Sequence, residues 1–545
     1  MRPHLLFPDR DLAAPDDETP PLLADLVADL ELPVVLRAMS GDDPLMYAVC
    51  AQVLTATDTA PRIVRHRRAV LADAMAHPDE FADLYTIASE AIADEKKIYR
   101  STFMVRPEST LRRSVEVLKR LLDAVARVRR VSDALLRTAR SDAVRTMCTV
   151  LAEQLDDAYL QEAGEQVREL ELAHGLLVSA RLDRNDTVSG MRPLLARTSG
   201  NWLIGRRPSL RKPTFSYTIA ERDQAGMEAF GAFRDRSLTQ VADAADTSAT
   251  HILNFLSCLQ REVAFYLGCV RLRDTLHELD VSTCVPDVCD EHEREGETEL
   301  SASGLCDVPL ALQSKQAPVP VTVAAGPARL VVLTGANRGG KSTTLRGIGV
   351  AQLMAQAGMF VAADEFRFAV CSGVFTHFKR EEDAAMERGK FDEELERMSR
   401  IIGAVAPGGM LLANESFAST NEQEASDVGF DVLTALVDSG VSVLLVTHLF
   451  TLAQRLFDDS RASVFLRAER GADGQRTYQL IEAPPLPTSF GGDVYRTVFG
   501  KPLNTIDTDI GAGVKDQQHG VKDQQQQQDS AATDDHAPSP ATQTS

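Results

Sequence analysis

The pattern of hydrophobic positions divides the chain into a long helical region and a shorter region of alternating strands and helices. From about residue 22 to residue 98, apolar residues recur at helical spacing among alanines and acidic residues. From about residue 309 to residue 500, short apolar runs alternate with amphipathic stretches. This alternation is typical of a parallel sheet with helices on both faces. We therefore predict an α/β domain, built on a mostly parallel sheet, joined to an all-α core.

Within the α/β region the predicted strands are 330–333, 410–413 and 441–446, and the predicted helices are 342–356, 382–402 and 422–437. In the helical region, apolar residues also step by three and four in two longer seams. The seam residues are Leu111, Val115, Leu118, Leu122 and Val125, then Ile252, Leu256, Leu259, Val263, Tyr266 and Val270. Such seams indicate helix pairing. Their separation favours an antiparallel pair that serves as a lever, although two ordinary bundle helices give the same pattern.

Composition sets the predicted domain limits. Residues 1–21, with an Asp- and Pro-rich stretch at 11–21, are expected to form a loose leader. The helical core and lever occupy 22–300, and the α/β domain occupies 301–503. Residues 504–545 contain a run of five glutamines and almost no large apolar residues, so they are expected to be disordered.

Charge is unevenly distributed along the chain. The formal net charge of −21 argues against a uniformly basic nucleic-acid-binding protein. However, residues 100–140 carry eleven Lys and Arg against four acids, and residues 181–212 carry eight against two. Both stretches are therefore candidates for DNA contact. The second contains Trp202, the only tryptophan, and its candidate contact residues are Arg206, Arg207, Arg211 and Lys212. A solvated basic face balanced by acidic neighbours is the alternative for both stretches.

The sequence contains no apolar stretch long enough to span a membrane and no secretory apolar region near Met1. Eight cysteines in 545 residues do not make a disulfide framework, which favours a reducing, cytoplasmic location. A zinc site formed by Cys284, Cys289, His292 and Cys306 is conceivable. Their spacing fits no common zinc template, and reduced structural thiols are the preferred interpretation.

A glycine-rich segment after the apolar run 330–333 carries the strongest chemical signal. Residues 335–342 match the pattern G-x-x-x-x-G-K-[ST], with a predicted strand before them and a predicted helix after them. In this arrangement backbone N–H groups and the helix N-terminus cradle phosphates. Lys341 supplies a charge for the β- and γ-phosphates, and Ser342 supplies a hydroxyl for Mg²⁺. The predicted ATP-binding residues are Gly335, Ala336, Asn337, Arg338, Gly339, Gly340, Lys341, Ser342 and Thr343.

Hydrolysis requires further groups near the γ-phosphate. The predicted strand 410–413 leads into Asn414 and Glu415, and we expect it to lie beside the loop strand. Glu415 is the candidate that polarises the attacking water. Asn414 is the candidate Mg²⁺ partner through a bound water, although a neutral amide brings no charge. His448, after the strand 441–446, is placed to sense the γ-phosphate or to orient water.

These motifs together resemble the MutS family of DNA mismatch-repair ATPases. The resemblance rests on the loop with Asn337, on 414–420, on Thr447 to Phe450, on 488–491 and, upstream, on 65–78. It implies an ATPase that works as a homodimer, through its ATPase domains, with ATP and Mg²⁺. Binding and hydrolysis would then move helical arms around DNA in repair or recombination, with a repair protein as a further possible partner.

The sequence also departs from that family's pattern. No Phe-x-Glu wedge occurs near the N-terminus, so we expect a short member without the N-terminal mismatch-recognition domains, and no dimerising helix-turn-helix is found after residue 500. The family's Ser-Thr-Phe element, which reaches the partner subunit's nucleotide, is matched by 388–391 without the serine. Arg388 and Lys390 are therefore candidates for that trans contact.

Two alternative functions belong to other classes. An ATP-gated scaffold that binds a protein instead of DNA agrees with the acidic total, with Asn414 and with the missing wedge. A chromosome-structure ATPase of the ABC type is disfavoured, because the chain has no Leu-Ser-Gly-Gly signature.

Overall fold

The computed structural model describes most of the chain up to residue 486. The described residues are 2–14, 21–57, 59–98, 107–171, 177–182, 188–194, 222, 224–289, 300–326, 328–335, 339–380, 389–459, 461, 463–470 and 476–486. The predicted disordered tail therefore lies outside the described residues. None of the described helices is long and apolar enough to cross a lipid bilayer.

Among the described residues, the helical part contains nine helices and the α/β part contains five more. In chain order they are α1 Pro21–Asp29, α2 Leu32–Ser40, α3 Pro44–Leu54, α4 Pro61–Ala76, α5 Pro78–Lys97, α6 Pro107–Leu135, α7 Asp142–Gln154, α8 Asp157–Glu169, α9 Gln224–Glu278, α10 Val308–Ser314, α11 Lys341–Gln356, α12 Lys390–Ala404, α13 Glu422–Asp438 and α14 Phe450–Asp458. Proline lies in the first turn of α2, α3, α4 and α5, where its missing N–H costs no hydrogen bond. These prolines fix the starts of the early helices that the sequence pattern predicts.

Twelve strands are described, and they form three sheets. They are β1 Leu177–Leu182, β2 Val188–Leu194, β3 Asp287–Val288, β4 Leu300–Leu305, β5 Val321–Gly326, β6 Leu330–Thr334, β7 Glu365–Phe368, β8 Val374–Phe378, β9 Met410–Asn414, β10 Ser442–Val446, β11 Ser463–Arg470 and β12 Arg476–Glu482. The predicted strands at 330–333, 410–413 and 441–446 are confirmed as β6, β9 and β10. The predicted helices at 342–356 and 422–437 are confirmed as α11 and α13, and α12 begins at Lys390, later than predicted.

The main sheet is mostly parallel, as predicted. Its strand order is β12-β11-β6-β10-β9-β8, with β12 antiparallel at one edge and the other five strands parallel. Successive residues of each strand point to opposite faces. Leu330 and Val332 therefore join a core with α12, α13 and α14, while Val331 and Leu333 join a second core with α11. The second core continues without a break into the helical part of the chain.

Two features of the strands were not predicted. A four-stranded sheet of order β3-β7-β4-β5 covers part of 287–368, and its pairs around β4 are antiparallel. The antiparallel hairpin of β1 and β2 lies inside the region predicted to be all-α. The all-α prediction for 22–300 is therefore wrong at this hairpin. The prediction extends the helical pattern on either side across these two short strands.

The first seam lies in α6 and the second in α9, and these two helices pack against each other, but in the opposite sense to the prediction. Glu108 is 3.7 Å from Arg234, and further along both helices Ser114 donates to Asp246. Both members of the second pair lie C-terminal to those of the first, so the helices run parallel. The antiparallel prediction is wrong because α5, which packs against both helices, runs antiparallel to each of them.

The predicted loose leader is also wrong for residues 2–14. Leu5 and Leu6 are fully buried. The carboxylate of Glu262, in α9, accepts hydrogen bonds from the backbone N–H groups of Leu5 and Leu12. The hydroxyl of Tyr266, also in α9, donates to the Leu5 carbonyl at 2.6 Å. Apolar side chains and a buried carboxylate therefore fix this segment to the helical core.

The cysteines form no disulfide, and the structure describes all eight of them. Cys284, Cys289 and Cys306 belong to the α/β part, whereas His292 lies outside the described residues. Within the ranges that the structure describes, no group of three or more His, Cys, Asp or Glu side chains is arranged to hold a metal ion.

Candidate functional site

The glycine-rich segment lies between β6 and α11, and we call residues 335–342 the phosphate loop. Gly335 has φ of +114° and Gly340 has φ of +88°, both in the left-handed region that favours glycine. A Cβ at Gly335 would lie only 3.1 Å from the backbone nitrogen of Ala468 in β11. Glycine occupies this position because a side chain would lie too close to β11 and because the backbone conformation disfavours other residues.

Lys341 is the first residue of α11, and its ammonium lies across the phosphate loop. Its Nζ donates to the Gly335 carbonyl at 2.9 Å, and the residue is buried. Burial lowers the pKa of Lys341, and the Glu415 carboxylate acts in the opposite direction. The loop therefore combines one nearby ammonium with the N-terminal end of a 16-residue helix, which favours a bound anion.

Ser342 and Asn414 meet at the edge of the sheet where the parallel strands end. The Ser342 hydroxyl donates to Asn414 Oδ1 at 2.9 Å. Asn414 is the last residue of β9, which pairs with β10 and not with β6. The expectation that the strand of Asn414 lies directly beside the loop strand is wrong, because β10 lies between them. The side chain of Asn414 nevertheless reaches Ser342 across the end of β10.

Glu415 and His448 lie side by side at the same edge. Glu415 Oε1 is 3.8 Å from His448 Nδ1, and both side chains are partly exposed. The N–H of Glu415 donates to Val446 at the end of β10, and the N–H of Thr447 donates to Leu333 near the end of β6. These backbone bonds place the carboxylate and the imidazole next to the phosphate loop.

The oxygen donors at this edge suit a hard divalent cation. Mg²⁺ prefers oxygen ligands and usually takes only one or two from the protein, with waters and substrate phosphates completing its octahedron. Ser342 Oγ and Asn414 Oδ1, 2.9 Å apart, are such a pair. The residues present therefore fit Mg²⁺ in the presence of a nucleotide better than they fit a metal held by protein ligands alone.

An apolar cavity of about 430 Å³ opens beside the loop. Gly340 and Thr343 form one wall, and Leu310, Val319 and Val321 line it from α10, the segment after it and β5. The ring of Tyr478, from β12, lies near Gly340. A flat apolar group attached to the bound phosphates, such as a nucleobase, fits a cavity of this size and lining.

Comparison with protein families agrees with this arrangement. The model described as MutS2 N-terminal domain matches residues 59–279, and the model described as MutS domain V matches residues 331–507. Together the two matches cover well over half of the chain. The chain belongs to the MutS family. The second match contains the phosphate loop, Asn414, Glu415 and His448.

Several curated members of the MutS family are similar to part of the chain. Endonuclease MutS2 of Anaeromyxobacter sp. (strain Fw109-5) is 31% identical over 163 residues, which are 29% of this chain and 20% of that protein. DNA mismatch repair protein MutS of Thermotoga neapolitana is 29% identical over 185 residues, 33% of this chain and 23% of that protein. DNA mismatch repair protein MutS 2 of Halobacterium salinarum is 31% identical over 183 residues, which are 33% of this chain and 21% of that protein. The chain spans about a fifth of the length of these relatives.

Some predicted MutS-family site residues lie outside the described residues. They are Ala336, Asn337 and Arg338 in the loop, Arg388, and the DNA-contact candidates Arg206, Arg207, Arg211 and Lys212, together with 488–491. Lys390 is described as the first residue of α12. The roles assigned to all of these residues remain predictions.

Part of the basic stretch 100–140 is paired with acids in this MutS-family chain. Several basic side chains of α6 form ion pairs with acidic residues of α5 or with Glu171, which follows α8. The pairs are Arg113 with Glu95, Lys119 with Glu171, Arg120 with Asp94, and Arg127 with Glu90. These pairs agree with the alternative of a basic face balanced by acidic neighbours, and DNA contact by 100–140 stays a prediction.

Two residues near Glu415 were missed by the sequence analysis. His377, in β8, and Ser416 are buried and lie within hydrogen-bond distance of each other. A single histidine within an apolar strand is more often structural than functional, so no sequence signal distinguished it. Only the pairing of β8 with β9 brings it next to the residues that follow Glu415.

Proposed function

We propose that this chain binds ATP with Mg²⁺ at the phosphate loop and hydrolyses it. The observation that carries the proposal is the meeting of Lys341, Ser342, Asn414, Glu415 and His448 at one edge of the main sheet. A phosphate loop, an oxygen pair for Mg²⁺ and a carboxylate beside an imidazole are the parts that phosphoryl transfer to water requires.

Each side chain has a separate role in this proposal. The Lys341 ammonium and the loop N–H groups bind the phosphates, and Ser342 and Asn414 hold Mg²⁺, the latter through water. When bound, Mg²⁺ neutralises negative charge on the phosphate oxygens. The Glu415 carboxylate accepts a hydrogen bond from the attacking water and takes its proton. His448, 3.8 Å from that carboxylate, orients the water or senses the γ-phosphate.

Replacing Asn414 with Asp tests the metal role. We expect turnover to rise and the half-saturating Mg²⁺ concentration to fall about tenfold, because an added carboxylate near the ion contributes ~1–4 kcal/mol. The measurement is ATP turnover as a function of Mg²⁺ concentration.

The matched control for this change is Asn421→Asp. Asn421 caps α13 by accepting from the Glu424 N–H, which an aspartate also does, so its Mg²⁺ dependence is expected to equal that of the wild type. An unchanged Mg²⁺ dependence in Asn414→Asp would remove residue 414 from the metal site.

The helix α11, which follows the phosphate loop, is also the element through which the site contacts the helical part of the chain. Arg346, in α11, donates to Asp307 at 2.8 Å and pairs with Glu31, which lies between α1 and α2. A Cβ at Gly349 would lie only 2.9 Å from a methyl carbon of Leu30, so α11 lies directly against the residues that follow α1. We propose that nucleotide-dependent movements of α11 reach α9 and its neighbours by this route.

The proposed biological role is a DNA-binding ATPase in repair or recombination, acting as a homodimer through the α/β domains. Family membership and the names of the similar proteins, an endonuclease and DNA mismatch repair proteins, support this role. A helical clamp driven by ATP is the proposed mechanism, and 181–212 is the proposed DNA-contact segment because of its surplus of basic residues.

Charge reversal of Arg206, Arg207, Arg211 and Lys212 to Glu tests the DNA role. We expect weaker duplex binding, a salt dependence flatter by roughly one unit of slope per lost phosphate contact, and loss of DNA-stimulated turnover. The measurements are duplex affinity and ATP turnover with and without duplex, each at several salt concentrations.

The control for charge alone is Lys515→Glu with Lys522→Glu, in the Gln-rich segment. Its duplex binding is expected to match that of the wild type. Equal affinity and an equal salt slope in the four-site variant would exclude these residues as DNA contacts.

A second candidate function is an ATP-gated scaffold for a protein partner. The acid-paired basic face of α6 favours it, because those side chains are already neutralised within the chain. If duplex DNA at low salt fails to stimulate turnover of the wild type, the scaffold is supported and the clamp is not.

A further inference from the structure

The turn that carries Glu415 has an unusual backbone. Glu415 has φ of +54° and Phe417 has φ of +65°, so two residues with side chains adopt the left-handed conformation within three positions. L-residues avoid this conformation, and it persists only where surrounding contacts impose it. The contacts that impose it therefore determine where the Glu415 carboxylate lies.

Backbone and side-chain contacts hold this turn from two sides. On the side of β10, the Glu415 N–H donates to Val446 at 2.8 Å. On the side of β8, the ring of His377 lies 2.7 Å from the Ser416 hydroxyl and stacks on Phe417, with ring centres 5.9 Å apart. Ser416, Phe417 and His377 are all fully buried.

The protonation of His377 follows from its partners. Its Nε2 is 3.1 Å from the Glu394 carbonyl in α12, and a carbonyl only accepts, so Nε2 carries the proton. Burial, supported by the Arg397 charge, lowers the pKa of His377 to about 4, so the ring is neutral near pH 7. Its unprotonated Nδ1, 2.7 Å from Ser416 Oγ, and its own backbone carbonyl, 2.9 Å from the same oxygen, are therefore the two acceptors for the single Ser416 hydroxyl proton.

The helix on the other side of the ring is tied to the helical part of the chain. Arg397, one turn after Glu394, is almost fully buried and donates to the Phe378 carbonyl at 3.0 Å. Its guanidinium is 3.6 Å from Asp25 and 3.7 Å from Asp29, both in α1. His377 thus lies between the turn after β9 and a helix that is ion-paired with α1.

We propose that His377 is a positioning residue that fixes the turn of Glu415 and couples it to α12. This inference rests on the proposed hydrolysis at the same site. A displacement of α12 relative to the sheet would pull on Nε2 of the ring, and the ring would move Ser416 and the neighbouring carboxylate with it. The same helix begins at Lys390, the candidate for contact with a partner subunit.

Three substitutions at His377 separate its contacts. His377→Phe keeps an aromatic ring for stacking and removes both imidazole hydrogen bonds, while the backbone carbonyl of residue 377 can still accept from Ser416. His377→Asn places an amide oxygen where Nδ1 accepts from Ser416, and His377→Gln places an amide where Nε2 reaches Glu394. We expect His377→Phe to lower kcat roughly 10- to 100-fold, with nucleotide affinity within about threefold of the wild type. The Asn variant is expected to recover more of kcat than the Gln variant.

The matched control is Met398→Ala, which removes a buried side chain of α12 from the core that also contains Phe417 but leaves both imidazole hydrogen bonds of His377 in place. It is expected to lower Tm and to leave kcat within about threefold of the wild type. Amide hydrogen exchange of a peptide covering 410–420 provides a readout that does not require turnover. We expect that peptide to exchange at least tenfold faster in His377→Phe than in Met398→Ala.

The possible outcomes distinguish a failure of the positioning role of His377 from a failure of the proposed hydrolysis. If the wild type turns over ATP but His377→Phe matches it in kcat and in exchange of 410–420, the positioning role is wrong and the proposed hydrolysis stands. If the wild type does not turn over ATP, the proposed hydrolysis is wrong. In that case faster exchange confined to His377→Phe supports the positioning of the turn, and equal exchange in the two variants contradicts it.

Discussion

Replacing Lys341 with Ala is expected to weaken Mg-ATP binding ~100-fold or more. The ammonium is buried beside the loop, and removal of one member of a buried charged pair costs about 2–5 kcal/mol. The α11 helix itself should persist, since Ala has the highest intrinsic helix propensity. The measurement is displacement of a fluorescent ATP analogue at equilibrium, with Tm recorded in parallel.

Lys97→Ala serves as the control for the loss of a lysine. Lys97 is exposed at the end of α5, where it pairs with Asp94, and its replacement is expected to leave nucleotide affinity unchanged. Lys341→Ala with the affinity of the wild type would contradict the assignment of the phosphate loop.

Replacing Glu415 with Gln is expected to stop hydrolysis while preserving nucleotide binding. The amide has the same shape as the carboxylate. Glutamine has the same steric cost as glutamate at φ of +54°, so the substitution should not change the backbone of the turn. It cannot take a proton from water, and general-base catalysis contributes about 10²- to 10⁴-fold. We therefore expect phosphate release in a single turnover to slow at least 100-fold, with ATP affinity within about threefold of the wild type.

Glu396→Gln, at an exposed carboxylate of α12, is the control for the loss of one negative charge. If Glu415→Gln turns over ATP at the rate of the wild type, Glu415 is not the base. His448, 3.8 Å away, would then be tested by His448→Ala.

Much of the α/β part was predictable because its signals are local. The strands β6, β9 and β10 are short apolar runs buried on both faces, and each is followed directly by a chemically distinctive residue. In a parallel sheet the carboxyl ends of strands share one edge, so Asn414, Glu415 and His448 were expected near Lys341. The structure brings these residues together, although their roles remain proposals.

The missed features depend on contacts between distant segments. Leu5 and Leu6 lie in a short segment without periodicity, and only Glu262 and Tyr266, some 250 residues later, show where that segment packs. The direction of α6 relative to α9 depends on how α5 packs between the same neighbours. The strand order was missed for the same reason, because no local feature of the sequence indicates that β10 lies between β6 and β9.

The buried contacts around the site were unpredictable for a further reason. His377 and Ser416 are common residue types whose significance arises only from the adjacent positions of β8 and β9. Arg397 gave no sequence signal either, because its partners Asp25 and Asp29 belong to α1, more than 360 residues earlier in the chain.

The most direct test of the account is a crystal structure of this chain with a non-hydrolysable ATP analogue and Mn²⁺ in place of Mg²⁺. We predict that the triphosphate lies along the backbone of 335–342 with the Lys341 ammonium on its β- and γ-phosphates. The anomalous signal of Mn²⁺ is predicted within coordination distance of Ser342 Oγ, with a bound water in contact with Asn414. An analogue bound elsewhere, or a Mn²⁺ signal away from these oxygens, would contradict the central claim.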